Sequence, residues 1–273
     1  MASARNNRRH RRSRGRFGIL FKFLCVLTLV VAVTMGATVF FRVETVAVSG
    51  NSRYTEEEVV AATGIQVDDN LFHMNKYQIS QQVLQALPYV KELTIRRSLP
   101  STIVITVTEW DAVAQLAAPP AGTVVSGTEG ENPPEVADEA WLISVGGKLL
   151  EPALANSGKP VVSGLTPLMP KAGTKVAVPQ EEQSKLDALL SLLANLEELG
   201  MMEGVSDIEL TDTQVRLRYL DRFQVKLPLN GDFSYQLRVL EKGVEETTRR
   251  HGEQSTGTMD LTQRDYELVY SPG

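Results

Sequence analysis

The longest predominantly apolar run in the chain, Phe17 to Phe41, follows directly on its densest run of positive charge. Lys22 is the one charge inside it, at the arginine end, where its ammonium reaches the headgroups. Phe23–Phe41 supplies 19 apolar or small residues. At a rise of ~1.5 Å each, these match a bilayer core of roughly 30 Å. The pattern predicts one transmembrane helix over residues 19–41 and shows no second stretch of this kind. A secretory signal has a shorter apolar region, roughly 7–15 residues, and a small-residue cleavage site. Here the run is longer and ends Thr38-Val39-Phe40-Phe41-Arg42, so a retained anchor is expected.

Beyond the anchor the periodicity alternates between two and 3.6. Val43 to Ser49 reads as a strand closed by Gly50-Asn51. Thr55-Glu56-Glu57-Glu58 opens a helix with a capping box, its apolar side carried by Val59, Val60 and Ile65 and its stop by Gly64. A second helix runs from about Asn75 to Ala86, with Ile79, Val83, Leu84 and Leu87 at helical spacing and Pro88 ending it. Strands over Lys91–Arg97 and Ile103–Thr108 follow, the second alternating strictly, as a half-covered sheet requires. Strand, helix, helix, strand, strand predicts a three-stranded sheet with two helices on one face.

Between Ala117 and Ala140 the chain is rich in Pro, Gly and Ser and supplies no core; a flexible insertion is expected at about 118–139. Trp141–Ser144 and Lys148–Leu150 form a hairpin around Gly146-Gly147, and Pro160–Leu165 contains a short strand. An amphipathic helix spans about Glu181–Leu199, with Leu186, Leu189, Leu190, Leu193 and Leu196 inward. Strands near 205–210, 215–220 and 223–227 precede a helix capped by Asp232 and carrying Phe233, Leu237, Leu240 and Val244. Two further strands are expected at Thr258–Leu261 and Tyr266–Tyr270.

Charge sharpens the picture. Residues 1–42 hold nine basic residues and no acidic one, which leaves 19 basic against 33 acidic residues after Arg42, a net charge of −14 there. Arg8, Arg9, Arg11, Arg12, Arg14 and Arg16 lie where positive charge sets membrane orientation, so a cytoplasmic tail over residues 1–18 is expected, with everything after Arg42 on the far side. An acidic ectodomain argues against nucleic acid as a partner. The single cysteine, Cys25, sits in the apolar run, so neither a disulfide framework nor thiol chemistry is expected outside. His10, His73 and His251 have no His or Cys at ligand spacing, and no phosphate-cradling glycine loop or nucleophile motif occurs. The census predicts no enzyme, no cofactor and no metal site. Recognition remains, and the exposed edge of a sheet is its natural instrument. If Tyr266–Tyr270 lies at an edge, Tyr266, Leu268 and Tyr270 share one face, and Glu267 and Val269 the other.

Val46-Ala47-Val48-Ser49-Gly50-Asn51, Asp69-Asn70-Leu71-Phe72, Leu87-Pro88-Tyr89-Val90, Ile95-Arg96-Arg97-Ser98-Leu99-Pro100 and Thr102–Glu109 occur in order. In these motifs the chain resembles the FtsQ/DivIB family of bacterial division proteins. Leu99 and Ala112 depart from that family's usual Trp and Pro, and Thr262 from its frequent Arg. The resemblance implies an α+β chain: a single transmembrane helix, a POTRA domain (three-stranded sheet, two helices) at 43–114 and a mixed-sheet β domain at 115–273. It further implies a non-enzymatic scaffold in the cell membrane, single-pass type II, concentrated at the division septum. Its partners would be FtsB/DivIC and FtsL-like proteins, and through them the septal wall synthase, with lipid met through the anchor. The family's partner-binding last strand and its surroundings map onto Thr258, Met259, Asp260, Leu261, Tyr266, Leu268, Val269 and Tyr270. A POTRA-containing chaperone or assembly factor for secreted or outer-membrane proteins is the alternative; it fits several POTRA copies, and one is seen here.

Overall fold

The computed structural model describes residues 15–120, 122–123, 136–154, 157–263 and 268–273. Most of the expected insertion, Arg8–Arg14 and Tyr266 therefore lie outside the described residues.

Helix α1 (Gly15–Phe40) is exposed wherever its side chains are described. Its stretch Gly18–Gly36, of mean hydropathy 2.4, is long and apolar enough to cross a membrane. The small domain follows almost at once: β1 (Thr45–Ser49), α2 (Glu56–Thr63), α3 (Lys76–Ala86), β2 (Val90–Ser98) and β3 (Thr102–Glu109). The sheet order is β1-β3-β2, with β1 parallel and β2 antiparallel to the central β3. Thr55 accepts from the Glu58 N–H while the Glu58 carboxylate accepts from the Thr55 N–H, which closes the expected capping box. Gly64 ends α2 in the left-handed conformation, and Asn75 caps α3. Val48, Val59, Val83, Ile95, Ile103, Ile105 and Val107 form the core between sheet and helices.

The second domain is one nine-stranded sheet covered on one face by two helices. Its elements are β4 (Ala112–Leu116), β5 (Trp141–Ser144), β6 (Leu149–Pro152), β7 (Val161–Ser163), α4 (Gln183–Glu198), β8 (Val205–Leu210), β9 (Gln214–Tyr219), β10 (Phe223–Pro228), α5 (Phe233–His251), β11 (Gly257–Asp260) and β12 (Val269–Pro272). Their spatial order is β12-β11-β10-β9-β8-β7-β4-β5-β6, with parallel pairs at β10–β11, β7–β8 and β4–β7. The fold is thus mixed α+β, as the family resemblance implies. Leu189, Leu192, Leu193 and Leu196 of α4 and Leu237 and Leu240 of α5 are fully buried with Val215, Phe223 and Val225 of the sheet.

Three details differ from the expectation. Ala112–Leu116 is a strand of the large sheet, so the change between sheets falls at Trp110-Asp111 and a boundary after residue 114 would cut β4. Leu192 joins the inward row of α4, because a helix that lies on a sheet beside a second helix buries more than one stripe. The last strand begins at Val269 and runs to Pro272, in antiparallel register with β11.

Candidate functional site

Two places hold side-chain arrangements that local packing alone does not require: the β12 edge of the large sheet, and the junction between the two domains.

At the edge, β12 has β11 on one side and, among the described residues, no strand on the other. Tyr270 fastens it inward. Its hydroxyl donates to the Thr256 carbonyl at 2.9 Å, and its ring meets Phe223 at 6.5 Å and His251, at the end of α5, at 5.6 Å. Leu268 also packs inward, against the core and so close to Gly243 that a Cβ there would lie 2.8 Å from its Cδ1. The glycine in α5, only a weak helix former, leaves room for this side chain. Val269, 45% exposed, points the other way. The inward Leu268 and Tyr270 and outward Val269 follow the alternation expected of them; Tyr266 lies outside the described residues.

Of the remaining expected contact residues, Met259 and Leu261 are fully buried core side chains. β11 is already paired on both sides, with β10 and β12, so neither residue can meet an added strand. They hold β11 in place instead. Thr258 and Asp260 are partly exposed, and the Asp260 carboxylate is occupied by the Thr262 N–H at 2.9 Å and hydroxyl at 2.6 Å. Beside β12, the last turn of α5 carries Arg249, Arg250 and His251, the arginine cations placed at the negative end of the helix dipole. Glu246 pairs with both arginines, leaving one positive charge in that trio.

The junction was not foreseen, because its members are far apart in sequence. Glu151, in β6, accepts from the Arg53 guanidinium at 2.7 Å and the Tyr89 hydroxyl at 2.7 Å, and the guanidinium lies over the Tyr89 ring at 3.7 Å. Burial and this bond to Glu151 push the Tyr89 hydroxyl pKa upward, so it remains a donor. Lys148 reaches the Val90 carbonyl at 3.1 Å, and Lys91 sits 4.5 Å over the ring of Trp110, which in turn covers Gly146. A Cβ at Gly146 would lie 3.0 Å from that indole, which accounts for glycine there.

Glu109 completes the junction from the small domain. It accepts from the N–H groups of Ser52 (3.1 Å), Arg53 (2.9 Å) and Tyr54 (3.4 Å) and from the Ser52 hydroxyl (2.9 Å). Burial pushes its carboxyl up, but these donors outweigh it and hold the pKa below the ordinary 4.5. A depressed carboxylate stabilises the fold fully above its unfolded value and loses that contribution as pH falls through the folded one. Glu109→Gln is therefore expected to melt below the parent chain at pH 7, with the gap closing as pH falls under about 4.5. Thermal melts across that range read it directly.

Among the described residues no group of three or more His, Cys, Asp or Glu could hold a metal ion. A groove over the open face of β8–β10 is lined by Asp207, Glu209, Arg216, Arg218, Gln224 and Lys226. Its ion pairs, Arg218–Asp207 and Arg216–Glu209, are each 3.3 Å long and solvent-exposed, so they contribute little.

An apolar helix long enough to cross a membrane thus leads into a three-stranded α/β domain and then a mixed sheet with an open edge. Residues 41–110 match the family model described as the POTRA domain, FtsQ-type. The chain is similar to the cell division protein FtsQ of Corynebacterium glutamicum, 31% identical over 91 residues, which is 33% of this chain and 40% of that protein. It is 33% identical over 69 residues to the cell division protein DivIB of Geobacillus kaustophilus, covering 25% of this chain and 26% of that protein. Against the cell division protein FtsQ of Hirschia baltica it is 24% identical over 213 residues, 68% of each chain. The first two matches thus span well under two thirds of those relatives' own length. Residues 41–110 are an FtsQ-type POTRA domain, and the chain resembles the FtsQ/DivIB cell division proteins.

Proposed function

We propose that this protein is a non-enzymatic division scaffold, anchored by α1 with its arginine-rich tail in the cytoplasm and both folded domains outside. It holds FtsB/DivIC-type and FtsL-type partners at the septum and through them influences wall synthesis. The observation that carries the reading is the open β12 edge. Unpaired backbone groups of an edge strand accept an added strand, and the side chains flanking it select the partner. Val269 offers the outward apolar contact, and the cationic end of α5 favours an acidic segment alongside.

Val269→Lys and Tyr270→Glu are each expected to weaken binding of the FtsB/DivIC-type partner at least tenfold, about 1.4 kcal/mol. Calorimetric titration measures this, and Val269→Lys should leave the melt unchanged because its side chain faces outward. Unchanged affinity in both variants would refute the edge as the recognition site. A fluorescent fusion concentrated at mid-cell supports the division role, whereas uniform membrane signal contradicts it.

A further inference from the structure

We propose that the end of the POTRA domain from which α1 departs rests in the headgroup layer of the bilayer that α1 crosses, with Val67, Phe72 and Leu99 as its contacts. This rests on α1 being a retained anchor. Four features of the structure lead to it.

The first is the absence of a linker. α1 ends at Phe40, and the next residues are already stitched to the loop between α2 and α3. The Phe41 carbonyl accepts from the Leu71 N–H at 3.1 Å, the Val43 N–H donates to Asp69 at 2.8 Å, and the Asp68 N–H donates to Val43 at 2.9 Å. The Phe41 ring packs edge-on against Phe72 at 5.2 Å. Each residue advances the chain by at most ~3.6 Å, so this loop cannot stand far from the end of the span.

The second is topology. β1 leaves the membrane end and β3 runs parallel to it, so the turn joining β2 to β3 lies at the same end; the Glu44 and Thr45 N–H groups both reach the Ser101 carbonyl there. Leu99 is in that turn.

The third is the distribution of exposed apolar side chains. Within residues 43–110 the large ones are Val67 (69%), Phe72 (51%), Tyr77 (74%) and Leu99 (59%). All four belong to the α2–α3 loop, the first turn of α3 or the β2–β3 turn. Exposure of this kind gathered on one end of a domain marks a contact surface.

The fourth is charge. Arg42, Lys76, Arg96 and Arg97 share this end with Glu44, Asp68 and Asp69. The acids are engaged: Asp68 by Arg42 at 3.6 Å, Glu44 by the Ser101 hydroxyl at 2.8 Å, Asp69 by the Gln66 N–H at 2.8 Å. The Arg97 guanidinium stands 5.7 Å over the Phe72 ring. These four basic and three acidic groups leave the end with one net positive charge. Aromatic and aliphatic side chains with such a mixed, slightly basic rim suit the interfacial layer, roughly 6 Å deep per leaflet.

The test uses the full chain in nanodiscs of phosphatidylcholine and phosphatidylglycerol. On a Cys25→Ala background, an environment-sensitive fluorophore is attached at Val67→Cys and, as an internal control at the opposite end of the domain, at Glu57→Cys. Expected are blue-shifted emission at position 67, quenching by a headgroup-level nitroxide lipid several-fold stronger than at position 57, and weaker quenching by aqueous iodide. Adding Leu99→Asp should shift the position-67 signal toward the aqueous value without altering the melt. An aqueous signal at position 67 while natural Cys25 stays shielded from a water-soluble maleimide would overturn the docking and leave the anchor intact. A Cys25 that reacts freely in the nanodisc would overturn the anchor reading and the docking with it. Shielding at position 67 that appears only when a partner protein is added would overturn lipid as the occupant.

Discussion

Leu192→Ala is expected to destabilise the large domain by about 3 kcal/mol, within the 2–5 kcal/mol range of buried leucine truncations. The side chain is fully buried among α4, α5 and the sheet, so its removal costs both transfer energy and a cavity that a helix clamped on two sides cannot close. Leu190, only partly buried, should lose distinctly less on the same change. Urea unfolding decides it: a lowered midpoint at an unchanged slope for Leu192→Ala, and a smaller shift for Leu190→Ala. Equal shifts would place the core of α4 elsewhere.

Gly164→Ala is expected to cost about 3 kcal/mol or more, for two reasons that act together. Gly164 follows β7 with φ +92°, a conformation that side chains resist, and its Cβ would lie 2.9 Å from the Leu210 carbonyl carbon and closer still to the oxygen. Both atoms are backbone at the end of β8, so neither can swing aside, and the β7–β8 pairing must shift. Gly158 separates the two causes. It has φ +67° and, among the described residues, nothing within 4 Å of the position a Cβ would take, so Gly158→Ala incurs the conformational penalty alone. Chemical denaturation should rank Gly164→Ala well above Gly158→Ala; similar losses would mean that conformation, not close approach, requires glycine at 164.

Most elements were readable because each carries a local signal. Thr55 with Glu58, Asn75 and Asp232 announce helix starts through side chains that cap within three residues. Ile103, Ile105 and Val107 announce a half-buried strand. β4 gave no such signal: Ala-Val-Ala-Gln-Leu is short, has one β-branched residue, and is interrupted by a bulge between Ala112 and Ala114. The strand exists because β5 and β7 flank it, which is a tertiary cause. The edge position of the last strand was legible only as a possibility, since spatial order in a sheet with three parallel pairs is not written in any window of sequence. The same reason hid the junction: Arg53 and Glu151 are 98 residues apart, and nothing near either one indicates the other.

The nine-stranded sheet also sets a distance. β6, which carries Glu151, and β12, the open edge, are its two outermost strands. Eight spacings of ~4.8 Å separate them by about 38 Å along the sheet. The sheet is therefore a spacer with the domain junction at one rim and the open strand edge at the other. Substitutions at the junction and substitutions at the open edge fall on residues that share no neighbours, so their energetic effects add. Under the proposed function, a change of partner at β12 leaves the mooring untouched, and a change in the mooring leaves the edge untouched.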